Sequence, residues 1–302
     1  MSTHMLASEP ALVQALSDAI GAAITAATPV SGGCIAQATR LQTERGVFFL
    51  KWGRGAVAKA FAGEAAGLEA LAKPDTPLRI PKVYSTQEYS TQEETDTRAG
   101  YLLMEWIEPG APDPTFDADL GEALAYLHRH TADTYGFEVD NHIGKLPQQN
   151  PRTGDWPTFF REHRLRPQAE RARTQGRWKD RWNAPFATVL EGLDRWLPQS
   201  PRPALVHGDL WRGNVMATQA GGPALVDPAT YYGHREVDLA MADLFGGFDE
   251  AFYAAYRSVD PLRAGYSRRA SIYNLYHLIN HLNHFGGAYA QQVEHTMQEI
   301  VS

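Results

Sequence analysis

Residues 205–214 read LVHGDLWRGN: two apolar residues, then a histidine, an aspartate and an asparagine set among glycines. Glycine, aspartate and asparagine are common turn formers, so a polar turn is one interpretation of this stretch. The other is a catalytic loop for phosphoryl transfer, in which a carboxylate accepts a proton and an amide oxygen holds a metal ion. The rest of the sequence has to distinguish the two.

The composition sets the general class of protein. The chain has 302 residues, of which 43% are apolar and 21% charged, as in an ordinary globular protein long enough for two lobes. The net charge of -7 argues against non-specific nucleic-acid binding, which needs a basic surface. No apolar run approaches the roughly 20 residues that cross a membrane. Cys34 is the only cysteine, so no intramolecular disulfide is possible, and a reducing cytoplasm is favoured.

The N-terminal part is predicted to be mainly β-structure. The Ala-rich segment 11–30 is typical of an amphipathic helix. A strand, turn and strand follow over 34–52, and the second strand ends near Lys51. The segment 57–73 has apolar residues at helical spacing, with Glu64 beside the apolar stripe. The pentapeptide YSTQE occurs twice in tandem over 84–93 and predicts a solvated hairpin loop before the buried strand YLLMEWI.

The segment EPGAPDP, with three prolines and a glycine, predicts a lobe boundary after residue 108. Beyond it the pattern is mainly helical, except for the two short apolar runs PALVHGDLWRGNVMA and GGPALVDPA. These predict a short hairpin capped by polar loops. The expected architecture is therefore α+β and bilobal. Residues 1–108 would form a small antiparallel sheet with one helix, and residues 109–302 a larger, mainly helical lobe.

Phosphoryl transfer needs a loop over the phosphates, a cation on them, oxygen ligands for Mg²⁺ and an acceptor for a hydroxyl proton. Candidates for each occur in the order used by protein-kinase-like enzymes: the loop SGGC at 31–34, Lys51 with Glu64, Asp209 with Asn214, and Asp227 at the end of the next strand. A glycine pair is usually a turn, and Lys51 or Glu64 alone would be surface residues. The spacing H-G-D-x-x-x-x-N, followed by an apolar strand that ends in aspartate, is much more specific and favours the catalytic loop.

Several features depart from the protein kinases. The chain has His207-Gly208-Asp209 in place of H-R-D and Asp227-Pro228-Ala229 in place of D-F-G, and no A-P-E segment follows. Asp238, further along, is predicted to brace the catalytic loop through hydrogen bonds. These departures resemble the small-molecule branch of the fold, which includes aminoglycoside and choline kinases.

Longer motifs resemble one family of that branch, the fructosamine kinases (ketosamine-3-kinases). The resemblance covers about residues 28–290 and is carried by a tryptophan directly after HGDL and by the segments HGDLWRGN, VDPATYYGHREVDLAMADLFGGF, WPTFFREHRLRPQ, NHLNHFGG, SGGCI and FAGEAAGLEAL. It implies ATP-dependent phosphorylation of the sugar O3 of ketosamines, small or protein-bound. The phosphorylated adduct then breaks down and releases the amine, which repairs the glycated protein.

The resemblance also implies roles for individual residues. Asp209 would be the general base, and Asn214 and Asp227 would hold Mg²⁺. ATP would be bound by a set that comprises Gly32, Gly33, Lys51, Glu64, Glu105, Trp106 and Ile107, the last three through backbone groups that face adenine. Trp211 would stack on the substrate, or else pack beneath the loop. From their position just past Asp227, and not from the resemblance, His234 and Arg235 would touch the substrate or else pin this loop.

Two further features have competing interpretations. His277, His281 and His284 share one helical face, as a metal site would require, but a hydrogen-bonded polar wall is favoured because further ligands are missing. Cys34 is either a small buried residue or an exposed thiol in the phosphate-covering loop. In the second case its oxidation to an intermolecular disulfide would switch the enzyme off and convert a monomer into a dimer.

Alternative functions remain open from the sequence. A kinase for another hydroxylated amine, such as an aminoglycoside, usually needs an acidic pocket, and acidic residues are not concentrated in the C-terminal third. A nucleotide-binding pseudokinase would be expected to lack one of the four key residues, Lys51, Asp209, Asn214 or Asp227, and all four are present. The sequence does not indicate which ketosamine is preferred.

Overall fold

The computed structural model describes Leu6 and residues 9–30, 36–90 and 98–302. Its N-terminal lobe is built on a five-stranded antiparallel sheet, and its C-terminal lobe is mainly helical. The strands are β1 (Ile24–Pro29), β2 (Gln37–Thr43), β3 (Gly46–Arg54), β4 (Val83–Ser90), β5 (Arg98–Glu105), β6 (Asn141–Ile143), β7 (Leu146–Gln148), β8 (Ala204–Val206), β9 (Val215–Ala217), β10 (Pro223–Leu225) and β11 (Tyr231–Gly233). The α-helices are α1 (Pro10–Ile20), α2 (Ala56–Leu71), α3 (Phe116–Leu127), α4 (Trp156–Phe160), α5 (Arg166–Thr174), α6 (Asn183–Trp196), α7 (Glu236–Leu244), α8 (Glu250–Val259), α9 (Tyr266–Phe285) and α10 (Ala290–Val301).

The sheet has the order β1-β2-β3-β5-β4 and is covered by a helix on each face. Successive strand residues point to opposite faces. Leu50 and Leu103 therefore pack with α1, whereas Leu102 and Met104 join the core that contains α2. Lys51 pairs with Leu102 in the register of β3 and β5, so it belongs to the α2 face. This alternation points the one lysine of β3 toward Glu64.

Four expectations for the N-terminal part need correction. The helix predicted over 11–30 ends at Ile20, and the β-branched Ile24, Thr25 and Thr28 continue as β1. Because α1 packs on the sheet, the described part of this lobe contains two helices and not one. The first YSTQE copy lies in β4, where pairing with β5 overrides its polarity, and β3 continues three residues past Lys51.

In the C-terminal lobe the two apolar runs supply β8, β9 and β10, which belong to two separate strand pairs. β9 pairs with β10 as the predicted hairpin, while β8 pairs with β11. The loop from His207 to Asn214 connects β8 to β9, and Asp227 lies in the connection from β10 to β11, so both segments cross from one strand pair to the other. Helix α2 approaches this lobe so closely that a Cβ at Gly63 would overlap the backbone of Asn141. Within the described residues, no helix is both long and apolar enough to cross a membrane.

Candidate active site

The loop that follows β8 is closed by its own asparagine. Asn214 Nδ2 donates to the backbone oxygen of Asp209 at 2.8 Å and to Asp209 Oδ2 at 3.2 Å. A short 3₁₀ turn over Arg212–Asn214 brings the two side chains together across four intervening residues. The amide nitrogen is used within the loop, so Asn214 Oδ1 is left as the group that can bind a cation.

His207 ties this loop to the segment after β10. Its buried ring accepts the N–H of Asp209 on Nδ1 at 3.3 Å, and Nε2 lies 3.0 Å from the carbonyl oxygen of Val226. The proton therefore belongs on Nε2, and burial lowers the pKa of His207 and keeps the ring neutral. The next residue, Gly208, has a φ of 82°, and a Cβ there would overlap the carbonyl oxygen of Ala229. This contact accounts for glycine in place of the arginine of H-R-D.

Asp238 braces the same loop through hydrogen bonds to its backbone, as predicted from the sequence. Its two carboxylate oxygens accept the backbone N–H groups of His207 at 2.7 Å and Gly208 at 2.8 Å. Burial alone would raise the pKa of Asp238, but hydrogen bonds from His128 and Gly208 outweigh burial and hold it below its usual value. An ionised carboxylate thus fixes the backbone just before Asp209.

Asp209 has the electrostatic properties of a general base. Burial raises its pKa to about 7, the hydrogen bond from Asn214 opposes that rise, and the negative charge of Asp227 adds to it. A carboxylate with a pKa close to ambient pH combines a useful ionised fraction with enough basicity to take a hydroxyl proton.

Lys51 is shared between the two lobes. Its Nζ lies 2.6 Å from Glu64 Oε1 on α2 and 2.5 Å from Asp227 Oδ1 in the large lobe. Burial opposes the charge of Lys51, but the two carboxylates dominate and raise its pKa above the usual value. The predicted Lys51–Glu64 ion pair is therefore present, and a permanent cation lies beside the candidate metal ligand.

Asp227 has an unusual backbone. Its φ of 56° is the only positive value of a non-glycine residue in the described part of the chain. Aspartate tolerates this conformation better than most residues, and such positions concentrate at functional sites. The backbone N–H of Val226 donates to the carbonyl oxygen of Asn214 at 3.0 Å, which brings the two predicted metal ligands together.

The donor set fits Mg²⁺. Asn214 Oδ1 is available, and the Asp227 side chain is 43% exposed. Mg²⁺ is usually held by one or two protein oxygens together with phosphate oxygens. No group of three or more His, Cys, Asp or Glu side chains able to hold a metal ion occurs among the described residues, so the histidines of α9 do not form such a site. His281 Nδ1 lies 2.8 Å from the backbone oxygen of His277 within α9, and His284 Nε2 lies 3.1 Å from that of Ile143.

The segment that connects the lobes presents free backbone groups. Glu105 accepts from Arg79 and from the N–H of Lys82, and Trp106 Nε1 donates to Glu108 at 2.7 Å. These side chains are engaged in local contacts. In contrast, the backbone groups of Trp106 and Ile107 have no partner within the described ranges. That arrangement suits adenine, which needs one donor and one acceptor at its edge.

The structure separates the two predicted substrate contacts. Trp211 is 40% exposed two residues after Asp209, and its ring lies against Gly213, so part of the ring remains accessible to a substrate. His234 is buried; its Nδ1 lies 2.7 Å from the Tyr273 hydroxyl, and burial holds its pKa well below the usual value. These contacts favour the loop-pinning role for His234 over substrate contact. Gly32, Gly33 and Cys34 lie outside the described residues.

One residue of the site was missed by sequence reasoning. His128 Nε2 lies 3.1 Å from Asp238 Oδ2, with both side chains fully buried. The available signal was a polar residue four positions after Leu124, where the apolar stripe of α3 predicts another core residue.

Sheet, helices and clustered side chains define a kinase of the protein-kinase-like fold. A model of the fructosamine kinase family matches residues 8–302, and the chain belongs to that family. It is therefore an ATP-dependent kinase. A probable ketoamine kinase of Synechocystis is 40% identical over 274 residues, which cover 90% of this chain and 89% of the relative. The chloroplastic protein-ribulosamine 3-kinase of Arabidopsis thaliana is 39% identical over 268 residues, or 88% of this chain and 79% of that protein.

Solved structures agree with this assignment. The crystal structure of a candidate fructosamine-3-kinase from Thermobifida fusca is 30% identical, with a TM-score of 0.84 over 96% of this chain and 98% of that one. An aminoglycoside phosphotransferase in complex with ADP and hygromycin B has a TM-score of 0.63 over 96% of this chain and 98% of that one. At 16% identity it shows the shared fold alone.

Proposed function

We propose that the protein is a ketosamine 3-kinase, which transfers the γ-phosphoryl group of ATP to the sugar O3 of ribulosamine or fructosamine adducts on lysine or on protein amines. The observation that carries the proposal is the closed loop in which Asn214 aims the Asp209 carboxylate, with a pKa of about 7, beside the Lys51–Asp227 pair. Family membership supports this choice of acceptor, and the Arabidopsis relative is named for ribulosamine on protein.

Each residue then has one task in the reaction. Asp209 accepts the proton of the sugar 3-hydroxyl while the sugar O3 attacks the γ-phosphorus of ATP. The bond from the γ-phosphorus to the bridging oxygen breaks, and ADP is the leaving group. Lys51, fixed by Glu64, holds the α- and β-phosphates. Asn214 and Asp227 would hold Mg²⁺, which neutralises phosphate charge when bound. The backbone of Glu105, Trp106 and Ile107 contacts adenine, Gly32 and Gly33 cover the phosphates, and Trp211 stacks on the sugar or its carrier.

The biological consequence belongs to the same proposal. Phosphorylation at O3 makes the adduct unstable, so that the amine is released and the glycated protein is repaired. Such an enzyme would act in the cytoplasm, where a lone cysteine such as Cys34 stays reduced. Residues 1–108 would act as the nucleotide lobe and residues 109–302 as the catalytic lobe. A Cys34-linked dimer would form only under oxidation.

The test is ATP consumption with Mg²⁺ over a panel of ribulose-lysine, fructose-lysine, glycated protein, kanamycin and choline. We expect turnover on the ketosamines, with ³¹P NMR placing the phosphate on O3. Turnover on kanamycin or choline alone would confirm kinase activity but would contradict a role in the repair of glycated protein. ATP binding without turnover on any acceptor would indicate a pseudokinase.

A further inference from the structure

A line of buried polar side chains leads from the catalytic loop away from the cleft, toward the end of α8. Beyond the contact of Asp238 with His128, His128 Nδ1 is 2.8 Å from the Tyr256 hydroxyl. Arg235 Nη1 lies 3.0 Å from the same hydroxyl. His128 is 2% exposed and Tyr256 0%, so water does not replace these partners.

The chemistry of the two ends sets the direction of every hydrogen bond between them. The Asp238 carboxylate can only accept, so His128 donates to it through Nε2–H. The Arg235 guanidinium can only donate, so the Tyr256 oxygen accepts from it. The single proton of Tyr256 is then left for His128 Nδ1, which must be unprotonated. A protonated imidazolium would leave the buried Tyr256 proton without an acceptor among the described residues.

The outer end of the line is anchored in backbone. Arg235 donates to the carbonyl oxygens of Asp260 at 3.1 Å and Pro261 at 2.6 Å, directly after α8. Its guanidinium also lies 5.5 Å from the centre of the Tyr256 ring, and the His128 and Tyr256 rings meet edge to face at 5.6 Å. Packing and hydrogen bonds together leave Tyr256 one orientation.

We infer that Tyr256 and Arg235 are positioning residues for phosphoryl transfer. They hold His128 in its neutral Nε2–H tautomer, His128 holds Asp238, and Asp238 holds the backbone at His207 and Gly208 that presents Asp209. Neither residue contacts the cleft cluster of Asp209, Asn214 and Lys51 through any hydrogen bond of the described chain. The inference rests on the role of Asp209 proposed above, but not on which sugar is phosphorylated.

Tyr256→Phe tests this inference with little change in packing, because it removes only the hydroxyl. We expect kcat with ribulose-lysine to fall about three- to tenfold, the effect of one net hydrogen bond. KM for ATP should stay unchanged, since Lys51 and the connecting segment are not touched. Tyr253→Phe is the matched control: it lies one turn earlier on α8, and its hydroxyl makes no hydrogen bond within the described residues.

Nitrogen-15 NMR of histidine-labelled full-length protein measures the tautomer directly and needs no acceptor, so it tests the inference even if the proposed substrate is wrong. Comparison with a His128→Gln sample assigns the two ring resonances. We expect one protonated and one unprotonated nitrogen in the wild type, with Nε2 protonated, and a mixture of tautomers in Tyr256→Phe. Arg235→Met, which keeps an aliphatic stem over the ring, should shift the population in the same direction.

Three results would overturn the inference. One is a doubly protonated or Nδ1-protonated His128 in the wild type. Another is a Tyr256→Phe enzyme with wild-type kcat and tautomer. The third is an equal loss of kcat in Tyr253→Phe, which would mean that α8 acts only through its general stability. If Tyr256→Phe does not fold, Arg235→Met is judged by the same kinetic and spectroscopic criteria.

Discussion

At the scale of single residues, Asp209 combines a catalytic position with a shifted acidity. We expect Asp209→Asn to lower kcat about 10²- to 10⁴-fold, because an amide cannot accept the hydroxyl proton. Nucleotide affinity should change little, since Asp209 does not contact Lys51 in the structure. Single-turnover kinetics with titration of a fluorescent ATP analogue measures both quantities.

A second prediction for Asp209→Asn concerns its thermal stability. The pKa of Asp209 is about 7 in the folded protein, against an ordinary aspartate value of 3.8, so the folded state keeps a proton that the unfolded chain releases between these values. The carboxylate therefore reduces stability as pH rises through this window. Asp209→Asn should raise Tm at neutral pH, and the same change at exposed Asp133 should leave it unaltered. Near wild-type turnover by Asp209→Asn would contradict the mechanism.

At the scale of elements, the loop between β8 and β9 depends on Gly208. Alanine there has to adopt a positive φ and would also overlap the Ala229 carbonyl oxygen. We expect Gly208→Ala to lower the free energy of unfolding by about 1–3 kcal/mol and to reduce kcat, because the displaced loop carries Asp209. Urea denaturation and steady-state kinetics would check both effects.

Gly221 provides the matched control for that substitution. It has a φ of 91° in the β9–β10 turn, and a Cβ added there would have no neighbouring atom within 4 Å. Gly221→Ala thus has the same backbone cost without the overlap, and it should retain wild-type kcat. Equal losses of stability and activity in the two variants would show that the contact with Ala229 has no specific role.

At the scale of the whole molecule, buried histidines make the folded state sensitive to acid. Burial lowers the pKa of His207 and His234, and it lowers that of His277 to about 3. Histidines of the unfolded chain take up protons near pH 6.5, whereas these buried ones stay neutral, so the stability that they contribute is complete above that pH and is lost below it. Asp209 acts in the opposite direction over part of this range, but three histidines outweigh one carboxylate, and we expect the free energy of unfolding to fall between about pH 6.5 and 4.

His277→Asn should reduce this slope by up to about 1.4 kcal/mol per pH unit, the contribution of one titrating group. His295→Asn, at a 70% exposed side chain on α10, should leave the slope unchanged. Urea titrations over the same pH range would distinguish the two variants. An identical slope in His277→Asn and wild type would show that His277 does not stay neutral in the folded protein.

Much of the molecule was predictable from short stretches of sequence. Alternation over β2 and β3, helical periodicity over α2 and α3, and turn residues around Asp209 are local patterns, and each has a direct physical cause in strand, helix or loop geometry. The motif spacing also predicted the Lys51–Glu64 pair and the bracing role of Asp238. The predictions for the end of α1 and for the first YSTQE copy were wrong, because the strands that pair with β1 and β4 are set by contacts outside these short segments.

The sequence by itself therefore determined the family, the order of the catalytic motifs and most of the secondary structure. Only the tertiary structure decided that β8 pairs with β11, that Lys51 bridges to Asp227, that His234 is buried, and that Tyr256 reaches His128. These contacts join residues that are 25 or more positions apart, such as the 128 that separate His128 from Tyr256. No local pattern marks such pairs, because burial and hydrogen bonding are set by the packing of elements that the chain brings together only on folding.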